Sequence, residues 1–376
     1  MSPPARTGRA LATIDAGAVE RNCSVLKDRV GKETELCAVV KANGYGHGAA
    51  ACAAAALRGG ATRLAVAAAT EAEDLRLHFP EVPILVMGAL TVDELRTALL
   101  AHADVAVWRE GFMQVCSRLA AEIGRMARIH LKLDSGMGRL GERDPATLIA
   151  LARACEADQR LELAGVWTHF ATADEPADDF MADQLAAFVP VADAVREIRS
   201  GCTVHAANSA ATLRDPATHF DMVRCGIAIY GLDPFHRDPA AHGLEPALEL
   251  HSYVADVKRF ERGASAGYGR TWRAPGDTWV GVLPIGYGDG VRRGLSNSGE
   301  VLVRGRRHPL VGTVSMDNVT VDLGPETDVE PGSPAVLIGA QGGDRILAEQ
   351  VAAHLHTINY EITCGISGRV PREVLE

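Results

Sequence analysis

The sequence predicts an α/β barrel of the TIM-like (β/α)8 type followed by a mostly antiparallel β domain. Three observations carry that reading. Up to about residue 240, eight short β-rich runs alternate with helix-like stretches, and alternation of that length implies a parallel sheet. Eight such units in roughly 230 residues suit a closed barrel better than an open doubly wound sheet, which would more typically place a glycine fingerprint at its first strand–helix turn. Beyond residue 240 the helical crossovers largely vanish, and runs rich in Val, Thr and Ile are separated by Gly or Pro, as antiparallel strands are. The expected division is a barrel over 1–240 and a β domain over 241–376.

The barrel strands are expected, in order, at Cys37–Val40, Arg63–Val66, Pro83–Met87, Asp104–Trp108, Arg128–Leu133, Leu161–Trp167, Thr203–Ala206 and Met222–Tyr230. Short β-rich runs bounded by turn residues are what strands buried on both faces look like. Between them, alanine-rich Gly48–Arg58 favours helix and Gly59-Gly60 stops it. Thr70-Glu71-Ala72-Glu73 reads as a capping box. Asp144-Pro145 reads as the cap and first residue of a helix running to Ala157. In the second domain, strands are expected within Leu248–Phe260, Thr278–Ile285, Glu300–Val303, His308–Val314, Val319–Leu323 and Pro334–Ile338, with one helix at Ala348–His356.

The chain has 376 residues, 47% of them hydrophobic, enough for one large core or more. Its formal net charge is -10 and its Lys and Arg residues are scattered, so no basic stripe points to nucleic acid. No apolar run approaches the ~20 residues needed to cross a bilayer. Met1 to Asn22 carries Arg6, Arg9 and Arg21 without an apolar h-region, so no signal peptide is expected. The eight cysteines form no C-x-x-C pair, and several sit inside apolar runs. That usage points to a reducing cytoplasm without a disulfide framework.

Function in a barrel sits where strands end and loops begin. Lys41 and Tyr45 follow the first run; Asp134, Ser135 and Arg139 follow the fifth; Thr168 and His169 follow the sixth; Asn208 and Ser209 follow the seventh; Arg224 and Gly226 lie at the last. Together they make a cationic, donor-rich mouth suited to an anionic, phosphorylated ligand. A lysine at the rim of an apolar core is disfavoured as the ammonium and can act as a nucleophile; alternatively its stem snorkels and its charge stays in water.

Gly136-Met137-Gly138-Arg139-Leu140-Gly141 satisfies G-x-G-x-x-G, but Glu142 to Pro145 intervene before the next helix. It therefore reads as a turn that needs positive φ or a loop that presents Arg139 to a carboxylate, not as a dinucleotide fingerprint. His354 and His356, near Glu349, stand at i and i+2, which face different ways on a helix. No metal is expected. Tyr268 and Tyr287 are flanked by glycines, so each ring can project or fill a gap between domains.

The stretch Ala38-Val39-Val40-Lys41-Ala42-Asn43-Gly44-Tyr45-Gly46-His47-Gly48 closely resembles the pyridoxal phosphate attachment motif of alanine racemases. The similarity continues through His130 to Gly141, Thr168-His169-Phe170-Ala171, His205 to Ala210, and Val223 to Ile227. It extends to Tyr268, Gly286 to Gly290, Gly312 to Asp317, and Arg369 to Arg372, nearly the whole chain.

The resemblance implies a barrel plus a β domain, and a cytoplasmic, head-to-tail homodimer with shared active sites. The implied reaction converts L-alanine to D-alanine for peptidoglycan. Lys41 would carry pyridoxal 5′-phosphate. Tyr45, Ser209, Gly226 and Ile227 would hold the phosphate, with Asn208 beside them. Arg224 would face the pyridine nitrogen and His169 would lie near the ring. Arg139 and, through its backbone, Met316 would bind the substrate carboxylate. Tyr268 would reach in from the partner subunit as the second base. Racemisation removes a proton from one face of Cα and returns it to the other, and lysine and tyrosine can each serve one face. An always-charged arginine beside the pyridine nitrogen disfavours its protonation, which should suppress transamination.

Two positions leave alternatives. In relatives the lysine matching Lys132 is carbamylated and orients the arginine; otherwise Lys132 and Asp134 form a surface pair. Many relatives have a tyrosine where Gly368 stands, so one phosphate contact is missing and a wider pocket that also accepts serine is expected. The competing enzyme reading is a fold-related decarboxylase of basic amino acids, but Cys364-Gly365-Ile366 lacks the acidic residue and second cysteine of that class. A non-catalytic cofactor carrier would resemble the barrel alone.

Overall fold

The computed structural model describes residues 8–376. Part of the stretch that bears on a leader peptide, Arg6 included, lies outside the described residues. The chain forms two compact units: residues 19–229 with 242–244, and residues 8–18 with 230–241 and 245–376. The division is not a single cut near residue 240, because the strand β1 (Leu11–Asp15) belongs to the second unit.

The first unit is a closed barrel of eight parallel strands. They are β2 (Glu35–Val39), β3 (Arg63–Val66), β4 (Ile84–Val86), β5 (Asp104–Val107), β6 (Ala127–Lys132), β7 (Leu161–Trp167), β8 (Thr203–His205) and β9 (Met222–Cys225). β9 closes the ring by pairing with β2, Cys37 opposite Arg224. Every residue of β3, β4, β5 and β9 is buried. Barrel side chains inside and helices outside leave no face for water, which is why these strands read as unbroken short runs rather than alternating ones.

Two expectations for this unit change in detail. The last run is a strand only to Cys225; Ile227–Tyr230 is a 3-10 turn. Gly226 leaves the ladder there because its N–H goes to the Ser209 hydroxyl, at 3.0 Å. The helix expected to be capped by Thr70 runs Ala69–His78 with Ala68 at its cap. Glu71 is its third residue and accepts the amides of Ala67 and Ala68 at 2.9 and 3.0 Å, so the carboxylate half of a capping box is present, with Glu71 in place of Glu73. By contrast, Asp144 accepts the Thr147 amide at 3.0 Å and Pro145 opens the helix to Ala157, as expected.

The second unit holds a seven-stranded sheet and a three-stranded antiparallel one, the latter of Asp256–Phe260, Thr278–Leu283 and Val319–Gly324. The Leu248–Phe260 run is thus two strands in two sheets. β1 lies between Leu248–Tyr253, antiparallel, and Arg372–Leu375, parallel. The expected His308–Val314 strand is Arg306–Pro309. The helix Ala348–His354 is followed by a second, Asn359–Cys364.

Candidate active site

The chain leaves β2 in an uncommon way. Lys41 is followed by Ala42, Asn43 and Gly44 at φ of 51, 52 and 63°, and Tyr45 at 53°. That is one turn of left-handed helix, which costs roughly 1–2 kcal/mol per residue outside glycine. The surroundings hold it. Glu71 accepts the Ala42 amide at 2.6 Å, Gly44 N–H donates to Val40 at 2.9 Å, and Asn43 accepts from Gly48 and, through its side chain, from Ala49 at 2.8 and 3.0 Å. Strain held this firmly is characteristic of functional sites. It sets the half-buried Lys41 at the barrel's C-terminal mouth and turns Tyr45 inward, where it is buried.

Tyr45 meets Gly226. A Cβ at Gly226 would stand 2.4 Å from the tyrosine oxygen, so only bare backbone fits. Ser209 Oγ accepts the amides of Gly226 and Ala228 at 3.0 and 3.3 Å. Asn208 Oδ1 accepts the Ala211 amide at 2.9 Å and so caps the short helix after β8. Tyr45, the Ser209 hydroxyl and bare main chain at Gly226 thus meet at one spot below the mouth.

Arg224, two residues before Gly226, is buried and touches no carboxylate among the described residues. Its Nη2 donates to the carbonyls of Thr168 and Ala206, both at 2.9 Å, and lies 3.3 Å from His169 Nδ1. Its Nη1 donates to His205 Nδ1 at 2.9 Å. Its guanidinium carbon lies 4.7 Å from the centre of the Trp167 ring. Burial lowers its pKa to about 10, which leaves it a cation at neutral pH.

Lys132 is no partner of Asp134 on the surface, as one reading held. It is buried, its amine 4.2 Å from the centre of the same Trp167 ring. Burial first, then the charges of Arg224 and Arg139, push it down to about 7. Asp134 is turned to the glycine loop and accepts the amides of Gly136 and Gly138 at 3.1 and 2.9 Å. Gly136, Gly138 and Gly141 have φ of 140, 69 and 132°, so the loop is the positive-φ turn expected, with Arg139 exposed on it. His169 is held well below the usual imidazole range by burial, then by Arg224, Arg139, Lys132 and Lys41. All four basic side chains therefore disfavour a charge on that ring.

In the second unit Tyr268 is 73% exposed, yet its backbone is fixed. Its carbonyl accepts the Thr313 hydroxyl at 2.8 Å, and Gly267, at φ 71°, packs so closely that a Cβ would lie 2.9 Å from the Thr313 nitrogen. Met316 is 51% exposed, and its carbonyl accepts the Gly288 amide at 2.9 Å. Tyr287 is also exposed. The predicted site residues thus fall into two groups: Lys41, Tyr45, Arg139, His169, Asn208, Ser209, Arg224, Gly226 and Ile227 on the barrel, and Tyr268 and Met316 on the β unit.

Motif reading assigned no role to Asp104, His130, Trp167 or His205. The available signal was polarity inside otherwise apolar barrel strands. Among the described residues no group of three or more His, Cys, Asp or Glu side chains could hold a metal, and no helix is long and apolar enough to cross a membrane.

A closed barrel with a strained turn after Lys41 at its mouth, and a buried arginine that meets no carboxylate among the described residues, belongs with the cofactor-dependent (β/α)8 enzymes. Two family models match almost end to end: alanine racemase, N-terminal domain, over residues 14–234, and alanine racemase, C-terminal domain, over 247–374. The chain belongs to the alanine racemase family. It is 42% identical to the alanine racemase of Symbiobacterium thermophilum over 362 residues, 96% of each chain. It is 40% identical to alanine racemase 1 of Bacillus subtilis over 369 residues, 97% of this chain and 92% of that one. The alanine racemase structure from D-cycloserine-producing Streptomyces lavendulae superposes with a TM-score of 0.94 at 38% identity, covering 99% of this chain and 98% of that one.

Proposed function

We propose that this protein is a pyridoxal 5′-phosphate-dependent isomerase that interconverts L- and D-alanine. The observation that carries the reading is at β9, which delivers Arg224 and Gly226 two residues apart: a buried guanidinium that meets no carboxylate among the described residues, then bare backbone against Tyr45 and Ser209. That donor set fits a phosphorylated pyridine carrying an aldehyde. When bound, the cofactor takes up the electron pair released as the Cα–H bond breaks.

The chain's own groups do the rest. Lys41 anchors the cofactor and holds or takes the proton on one face of Cα. Tyr45, Ser209, Gly226 and Ile227 hold the phosphate, with Asn208 fixing the turn that carries Ser209. Arg224, donor-only and charged, would lie toward the pyridine nitrogen and disfavour its protonation. His169 is held neutral by burial first and by its basic neighbours. Arg139 and the Met316 backbone bind the substrate carboxylate. The partner subunit's Tyr268 serves the opposite face. Exposure of Tyr268, Tyr287 and Met316 on one unit supports a homodimer with shared sites, since large exposed apolar groups mark interaction surfaces. A cytoplasmic place and supply of D-alanine to peptidoglycan accompany this role.

The pocket is wide enough on this reading for serine as a secondary substrate, because Gly368 brings no side chain. A decarboxylase is the competing reading. Incubation with L-alanine in heavy water separates them: deuterium at Cα with loss of optical activity is expected, and release of carbon dioxide would overturn the proposal.

A further inference from the structure

Three polar residues that the proposed reaction does not use cross the barrel core in a line. Arg224 Nη1 lies 2.9 Å from His205 Nδ1, His205 Nε2 lies 2.9 Å from His130 Nδ1, and His130 Nε2 lies 3.1 Å from Asp104 Oδ2. The chain starts on β9 at the mouth and ends at the first residue of β5, on the opposite rim. Asp104 is clamped there by Arg63 Nη1 and Arg128 Nε, both at 2.8 Å.

The ends of this line dictate every proton within it. Arginine can only donate, so His205 Nδ1 accepts and its single hydrogen is on Nε2. His130 Nδ1 must then accept, and its hydrogen is on Nε2, donated to the Asp104 carboxylate. Protonating either imidazole would set two donors face to face across 2.9 Å. Both rings are therefore neutral, in the same tautomer, in one directed row. Burial, foremost, lowers the pKa of both rings, and Arg224 and Arg63 add to it for His205.

Packing is shaped around the row. His130 stands opposite Gly165 in the β6–β7 register, and a Cβ at Gly165 would lie 2.2 Å from His130 Nδ1. A glycine in the interior of a strand weakens it unless something must come close; here it is the imidazole. Trp167 stacks on His205, with centroids 5.5 Å apart and planes 6° apart.

We propose that His130 and Asp104 are positioning residues for Arg224, acting through His205: they hold the tautomer that presents a lone pair to the guanidinium and so fix its orientation at the cofactor ring. The catalytic consequence rests on the role proposed for Arg224; the proton arrangement does not. A buried arginine needs acceptors, and a carboxylate in contact would neutralise the charge that faces the ring. Two neutral imidazoles supply an acceptor while holding the nearest negative charge of the row, Asp104, at its far end.

The first test needs no substrate. In the full-length protein labelled with 15N-histidine, solid-state NMR should show two rings with protonated Nε2 and bare Nδ1, unchanged between pH 6 and 9, a window that spans the free histidine pKa of about 6.5. His130→Gln assigns one of them. A cationic ring or an Nδ1–H tautomer at either position overturns the proposal. The second test compares His130→Gln, whose amide can still accept on one side and donate on the other, with His130→Leu, which can do neither. The leucine variant should lose kcat by about tenfold with little change in KM, the scale of lost outer-shell support, and shift the visible absorbance of the bound cofactor. The glutamine variant should recover most of both. If His130→Leu binds cofactor with unaltered kcat and spectrum, or glutamine rescues nothing while folding normally, His130 is structural only.

Discussion

The amine of Lys132 lies 4.2 Å from the centre of the Trp167 ring, while Asp134, two residues further on, accepts amides of the glycine loop instead of pairing with it. A lysine in that position is half deprotonated near pH 7 because burial and two arginines oppose its charge. The unfolded chain, with a normal lysine, binds more protons between about pH 7 and pH 10.4. Lys132 therefore costs stability below pH 7, and that cost is relieved as pH rises through this window. The free amine can add carbon dioxide to become an anion beside Arg139. Incubation with 13C-bicarbonate should give a carbamate signal that is absent in Lys132→Ala. Its absence from the native protein would leave Lys132 as a neutral amine.

Among the described residues Arg224 meets no carboxylate, and its charge is what should keep the pyridine nitrogen unprotonated. Arg224→Glu reverses that bias. Transamination per racemisation turnover is expected to rise by at least about tenfold, one pKa unit's worth of energy. Counting pyruvate formed against D-alanine formed decides it; an unchanged ratio would remove Arg224 from this role.

Gly226→Ala inserts a Cβ 2.4 Å from the Tyr45 oxygen. Overpacking of that kind typically costs 1–3 kcal/mol, and here it falls on the phosphate cradle. Cofactor affinity, followed by absorbance titration, should weaken by roughly tenfold or more, with a smaller change in melting temperature. Unchanged affinity would place the phosphate elsewhere.

Gly368 has open space where a side chain would go, so Gly368→Tyr should fold as well as the parent. On the present account the tyrosine narrows the pocket, and the ratio of serine to alanine turnover falls. Only a trace of serine turnover in the parent, together with no effect of the tyrosine, would contradict it.

Much of this was legible in the chain because burial on two faces writes itself as apolar runs: all eight barrel strands lie where those runs stand. What escaped has physical reasons. β1 pairs with strands more than two hundred residues away, and no local pattern announces that. The left-handed turn at Ala42–Tyr45 has one glycine where four positive φ angles occur, since tertiary hydrogen bonds, not propensity, hold it. Thr70 looked like a cap, but the helix begins at Ala69 and the cap falls on Ala68, whose amide Glu71 accepts. Asp104, His130 and His205 sit in three separate strands, so their row exists only once the barrel closes. The candidate site residues on loops stand out in the chain because each motif carries its own chemistry, whereas the row that ends on Arg224 is purely three-dimensional.

The central claim is that Lys41 works one face of Cα and the partner subunit's Tyr268 the other. Lys41→Ala and Tyr268→Ala, each inactive alone, can be mixed, dissociated and reassociated. If sites are shared, each mixed dimer regains one intact site, and random pairing restores about a quarter of the parent rate of alanine racemisation. No recovery, with mixed dimers shown to form by native mass spectrometry, would mean that both residues act within one chain and would contradict the account.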